Sequence, residues 1–137
     1  MLDLLAKTIR LLAKHPGATA EQIAELKVRF ASLPEEYVRL IEEATEIELQ
    51  HENGQYVRIW GPRGCIEMDE GYEISKRINS AIPIGDDGGG QVIFYMKGKR
   101  RDGLYHVGYG NLDADDAVFT APSLVELLQH AVGMNSF

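Results

Sequence analysis

The segment Ile82-Pro83-Ile84-Gly85-Asp86-Asp87-Gly88-Gly89-Gly90, followed almost at once by Val92–Met96, constrains this chain more than any other stretch. Ile82 and Ile84 give an extended, strand-like start. Asp86 and Asp87 favour turns in which a side chain bonds nearby backbone, and the glycines permit positive φ or close approach of another backbone. Val92–Met96 is almost wholly apolar, which predicts a central strand covered on both faces. The chain must therefore build a sheet, and it must supply helices to cover it.

Periodicity supplies those helices. Leu2, Leu5, Ile9, Leu12 and Ala13 recur at helical spacing and end at His15-Pro16-Gly17, which predicts an N-terminal helical extension over residues 1–15. Ile23, Leu26 and Phe30 predict a second helix over 19–31, with Thr19 as its N-cap. A third starts at Ser32-Leu33-Pro34-Glu35, where Ser32 is placed to cap, Glu35 to close a capping box and Pro34 to sit in the first turn. Tyr37, Leu40, Ile41 and Ala44 form its buried stripe. A last helix begins at Ser123, with Glu126 three residues on and Leu124, Leu127, Leu128 and Ala131 facing inward.

Between these lie strands. Thr45–Gln50 and Tyr56–Trp60 alternate, separated by a turn containing Asn53-Gly54. A two-residue Asn-Gly turn would mix apolar and charged faces. A three-residue loop, Glu52-Asn53-Gly54, sets Ile47 against Ile59, Leu49 against Val57 and Glu48 against Arg58, with Gly54 left-handed. Leu104–Tyr109 is a further strand, reached from Met96 through Lys97–Gly103. Residues 64–79 fit either a short helix or an extended stretch. The whole reads as one α+β domain over 1–137: a mainly antiparallel twisted sheet with helices packed on it, N-terminal helices and one C-terminal helix.

Few residues promise chemistry. His15, His51, His106 and His130 lie in different elements without metal-site spacing, and Cys65 stands alone, so no intrachain disulfide forms. Asn111–Asp116 begins like a calcium loop, but the positions that require Gly and a bidentate acid hold Asp116 and Pro122. The glycine run lacks a phosphate-loop Lys and leads into a strand. Lys97–Arg101 is read as a charged hairpin tip. The expectation is no catalytic residue, no cofactor and no metal.

With 21 acidic and 14 basic residues the net charge is −7, which disfavours nucleic-acid binding and favours encounter with a basic partner. No apolar run approaches the roughly 20 residues that span a bilayer. Asp3 stands where a secretory signal would be basic, so a cytoplasmic, reducing location is expected.

Leu33-Pro34-Glu35-Glu36-Tyr37 opening a helix, Trp60, the Ile82–Gly90 segment before an apolar strand, and Ala117-Val118-Phe119 before Ser123-Leu124 together resemble the SUKH superfamily, over roughly residues 20–132. Leu33, Pro34, Trp60, Ile84, Gly85, Gly88, Gly89 and Gly90 carry the motif. That superfamily includes fungal regulators of cell-wall glucan synthesis and many bacterial proteins, a large share of them immunity proteins that neutralise toxins, often nucleases. The resemblance implies an α+β, non-catalytic domain that binds a protein partner. The acidic candidates for that contact are Asp86, Asp87, Asp113, Asp115 and Asp116. The competing expectations are a regulatory scaffold of the same fold, or a small-molecule or metal site at the Asp86–Gly90 turn. One departure is that many members place Asn-Gly soon after the Leu-Pro helix, whereas Asn53-Gly54 here follows an extra strand-like segment.

Overall fold

A computed structural model describes residues 1–98 and 100–137. Of the Lys97–Arg101 cluster, Lys99 therefore lies outside the described residues.

Among the described residues seven strands form one sheet in chain order: β1 (Ile9–Pro16), β2 (Ala44–His51), β3 (Tyr56–Ile59), β4 (Ile82–Asp86), β5 (Gln91–Lys97), β6 (Asp102–Gly108) and β7 (Val118–Ala121). Every neighbouring pair is antiparallel. The helices are α1 (Ala20–Arg29), α2 (Glu35–Glu43), α3 (Pro62–Tyr72), α4 (Ile74–Arg77) and α5 (Leu124–His130). α2 packs on β2, α5 on β7 and α2, and α3 and α4 on β4, while α1 packs on α3. This is the expected α+β architecture.

The β2–β3 hairpin takes the register that charge and apolar pairing demanded, with Ile47 opposite Ile59, Glu48 opposite Arg58 and Leu49 opposite Val57. Its loop closes through the Gly54 amide on the His51 carbonyl at 2.9 Å, and Gly54 has φ +95°. β5 sits between β4 and β6, and Val92, Ile93 and Phe94 are fully buried although they alternate between faces. Both faces of the sheet are thus covered at its centre.

Two expectations about helices are corrected. Residues 1–15 are not a helical extension: a single 3-10 turn spans Leu2–Leu4, and Ile9–Pro16 is strand β1, paired along β2. The same residues carry a period-two pattern, with Ile9, Leu11 and Ala13 turned inward and Arg10, Leu12 and Lys14 exposed. The unpaired edge of β2 offers hydrogen bonds that only an extended chain can accept, and tertiary pairing overrides local helical spacing. β1 itself is an outer strand, and its register shifts, Lys14 and Pro16 discourage further pairing.

Ser32 does not cap α2. The N-cap is Pro34, at φ −61° and ψ 134°, with no side-chain cap, and its carbonyl accepts from the Tyr37 and Val38 amides. Pro34 lies before the first turn rather than inside it, which leaves Ser32 too far back to reach the helix end. By contrast, Thr19 and Gln22 form a full capping box on α1, and Ser123 Oγ accepts from the Glu126 amide on α5. Within residues 64–79 the ambiguity resolves to helix as far as Arg77: α3 and α4 follow each other, joined at Glu73 in the left-handed region (φ 55°), and Ile78 is already extended.

Candidate partner-binding surface

The order of strands brings two acidic loops to one end of the sheet. Gln91 pairs with Gly108, and the Tyr109 amide donates to the Gly90 carbonyl at 3.0 Å. The β4–β5 turn and the long β6–β7 connection therefore leave the sheet side by side, and the β2–β3 hairpin loop emerges from the same end because Arg58 pairs with Asp86.

Within the β4–β5 turn the aspartates are builders. Asp86 Oδ1 accepts the Gly88 amide at 2.8 Å, while Oδ2 accepts the Trp60 indole N–H at 2.8 Å and lies 3.9 Å from Arg58 Nε. Asp87 Oδ1 accepts the amides of Gly89 and Gln91, at 2.8 and 3.0 Å, and its Oδ2 accepts Gln91 Nε2 at 3.3 Å. Both residues are half-buried. Gly85 must be glycine: a Cβ there would stand 2.1 Å from the Arg58 carbonyl oxygen, because β3 and β4 approach closely. Gly88 combines φ +73° with the Tyr56 ring packed against it. Ile84 is fully buried, and its carbonyl accepts the Trp60 amide at 2.7 Å. Trp60 thus ties β3 to the turn through both its backbone and its indole.

The second loop is exposed. Asp113 caps a single 3-10 turn over Ala114–Asp116, with its Oδ1 accepting the Asp115 amide at 2.9 Å. Asp113, Asp115 and Asp116 all face solvent. Between the two loops, the Tyr109 ring packs on Tyr72 of α3, with centroids 4.4 Å apart, and the Tyr109 hydroxyl is held well above its ordinary value by burial and by nearby Asp86.

Leu33 and Pro34 stand elsewhere. They introduce α2, whose Tyr37 hydroxyl donates to the Trp60 carbonyl and touches Cys65 Sγ at 2.9 Å. Cys65 donates in turn to the Pro83 carbonyl at 3.0 Å. Burial pushes the Cys65 thiol up to about 12, so it is a packed, unreactive group. Among the described residues no three His, Cys, Asp or Glu side chains converge to hold a metal. Among the same residues no helix is long and apolar enough to cross a membrane.

Sequence reading missed two polar anchors. Buried Asp69 of α3 accepts Arg29 Nε at 2.9 Å and both the amide and hydroxyl of Ser75, joining α1, α3 and α4. One signal was present: Asp69 lies four residues from Cys65 and so shares its inward helix face. Glu36 accepts the amides of Leu124 and Val125 at 2.7 and 3.1 Å and the Tyr95 hydroxyl at 2.6 Å, and nothing local announces it.

Residues 17–130 match the model of the SMI1/KNR4 family (SUKH-1), and that span holds every motif residue described above. The chain belongs to this family. No curated protein matches it. In this SUKH-1 chain the Leu33-Pro34 corner, Trp60 and the Asp86–Gly90 turn act as one structural unit, because Tyr37, Trp60 and Asp86 are bonded in series. Asn53-Gly54 closes the β2–β3 hairpin within the matched span, so its displacement along the chain reflects strand β2 preceding it. Strand β1 lies ahead of the matched residues.

Proposed function

We propose that this SUKH-1 chain is a non-catalytic protein-binding domain, a bacterial immunity protein that neutralises a cognate toxin by covering a basic site on it. One observation carries the reading: the exposed acids Asp113, Asp115 and Asp116 emerge beside the Asp86–Gly90 turn at one end of the sheet, on a chain of net charge −7. Exposed carboxylates on a shaped loop steer a basic partner and fix its orientation. Asp113, Asp115 and Asp116 make the direct contact. Asp86 and Asp87, whose oxygens already hold the turn, supply its shape and its negative field. A nuclease, whose substrate site must be cationic, fits such a surface.

The test is co-expression with the product of the adjacent gene, read by growth and by co-purification. Relief of toxicity and a retained complex are expected, with affinity falling at least about tenfold when Asp113, Asp115 and Asp116 are all changed to Lys. If no partner is retained and growth is not restored, the immunity reading is wrong. Retention that is indifferent to the triple change moves the contact to another face.

A further inference from the structure

The acidic end of the sheet also carries the one exposed aromatic ring among the described residues. Tyr72, the last residue of α3, is 45% exposed, whereas every other Trp, Tyr and Phe is buried or half-buried. Its ring is already placed, packed on Tyr109 with centroids 4.4 Å apart and planes tilted by 35°. Tyr109 is tied to the acidic turn through its amide on the Gly90 carbonyl. Exposed carboxylates steer and orient a partner more than they retain it, and retention is usually supplied by an aromatic or arginine anchor. The Tyr72–Tyr109 pair is the anchor that this end of the sheet offers.

Two further observations define what the pair would hold. Tyr109 Oη is out of contact with solvent yet has no hydrogen-bond partner. Such an oxygen has given up its bonds to water without replacement, so an N–H donor brought to it is favourable. Tyr72, packed against Tyr109 and itself exposed, can turn to admit a donor while the turn and β6 stay in place. The second observation is charge. Burial, then Asp86, Tyr72 and Asp87, hold the Tyr109 hydroxyl above its ordinary value, and Arg58 opposes them. Arg58 is engaged with the Tyr56 hydroxyl and lies 3.9 Å from Asp86. Lys76 and Arg77 of α4 face Glu73, and Arg29 faces Asp69 and Glu70. Asp87 bonds only neutral groups among the described residues, the amides of Gly89 and Gln91 and the Gln91 side chain, so its charge is not cancelled. An occupant must therefore be flat enough to stack on a ring, positively charged and rich in N–H donors. A guanidinium meets all three conditions. An ammonium has no plane to stack, and a nucleobase would bring phosphate into a negative field.

We propose that Tyr72 and Tyr109 form a subsite for an arginine side chain of the basic partner, with the guanidinium laid on the Tyr72 ring, an N–H turned to Tyr109 Oη, and the field of Asp87 holding the charge. The subsite belongs to the partner-binding surface proposed above and rests on that reading. It gives the surface a preference for arginine over lysine, which exposed carboxylates alone do not have.

The test uses the full chain and three blocked tripeptides, acetyl-Gly-Arg-Gly-amide and its Lys and citrulline counterparts, titrated while backbone amide shifts are followed. Saturable shifts at Tyr72, Gly90 and Tyr109 are expected with the Arg peptide, at an affinity at least about threefold above that of the Lys peptide, and none with neutral citrulline. Tyr72→Ala should lower the Arg-peptide affinity at least about threefold, and Tyr72→Phe, which keeps the ring, should stay within about twofold of the parent. Tyr109→Phe separates binding from structure. Removing an unpartnered hydroxyl should leave the melting temperature unchanged or raised, while Arg-peptide affinity falls. Equal affinity for the Arg and Lys peptides, shifts confined to the Asp113–Asp116 loop, no saturable shift, or binding indifferent to Tyr72→Ala overturns the subsite. An Arg peptide that fails while a toxin is retained removes the arginine subsite alone. An Arg peptide that binds as expected while no toxin is retained removes the immunity reading alone.

Discussion

Glu36 on α2 accepts the main-chain amide of Leu124, 2.7 Å away and 88 residues later in the chain, at the first turn of α5. A second bond to Val125 and one from the Tyr95 hydroxyl make this carboxylate the joint of α2, β5 and α5. Helix N-termini carry unsatisfied amides and a positive dipole end, and a carboxylate answers both. Glu36→Ala removes the cap and strands a mostly buried phenol, so a loss of about 2–3 kcal/mol is expected in urea unfolding. Glu36→Gln, which keeps one acceptor oxygen, should lose about half of that. A loss below about 0.5 kcal/mol for Glu36→Ala would show that the joint contributes nothing to stability.

The Arg29–Asp69 pair is asymmetric, and the asymmetry is measurable. Asp69 is fully buried while Arg29 is one-third exposed. Arg29→Ala leaves a buried carboxylate answered only by Ser75, and a loss of about 3 kcal/mol is expected. Asp69→Asn leaves an arginine that can turn to water, and should lose about 1–2 kcal/mol. The reverse order, measured by urea midpoints at constant slope, would contradict this account.

The glycines of the turn are not equivalent. Gly85→Ala forces a Cβ to within 2.1 Å of a backbone oxygen, which cannot move without parting β3 from β4. It should lose at least about 3 kcal/mol or fail to accumulate as folded protein. Gly89 meets nothing closer than 3.6 Å and has no positive φ, so Gly89→Ala should lie within about 0.5 kcal/mol of the parent. Thermal melts of the two side by side decide it.

His106 gives the pH dependence. It is buried on β6, with Nδ1 2.6 Å from Gln91 Oε1 and Nε2 3.1 Å from the Ser136 carbonyl. Burial holds its pKa below the ordinary 6.5, against the opposing effects of the Ser136 carbonyl and Asp87. The unfolded chain therefore takes up this proton first as pH falls. The stabilisation from neutral His106 is complete above pH 6.5 and is lost as pH drops below that value toward the folded-state pKa. The melting temperature should fall between pH 7.5 and 5.5, before carboxylates titrate, and His106→Gln should flatten that slope. An unchanged slope in the variant would assign the effect to other groups.

What the residues determined alone was whatever rests on near neighbours. The β2–β3 register followed from pairing Glu48 with Arg58 while keeping Ile47, Leu49, Val57 and Ile59 on one face. The Thr19 and Ser123 caps act within three residues, the bonds from Asp86 and Asp87 to the amides of their own turn reach at most four, and the burial of β5 follows from its unbroken apolar run. Tertiary structure decided the rest. Ile9–Pro16 carries both a helical and an alternating pattern, and only the open edge of β2, some 40 residues on, selects the strand. Glu36 looks like a solvated first-turn acid until α5 arrives beside it. The acidic surface and the Tyr72–Tyr109 pair beside it are each assembled from residues far apart in sequence. Periodicity and capping report the faces and ends of single elements. The partners of those faces are set by packing, which no local pattern encodes.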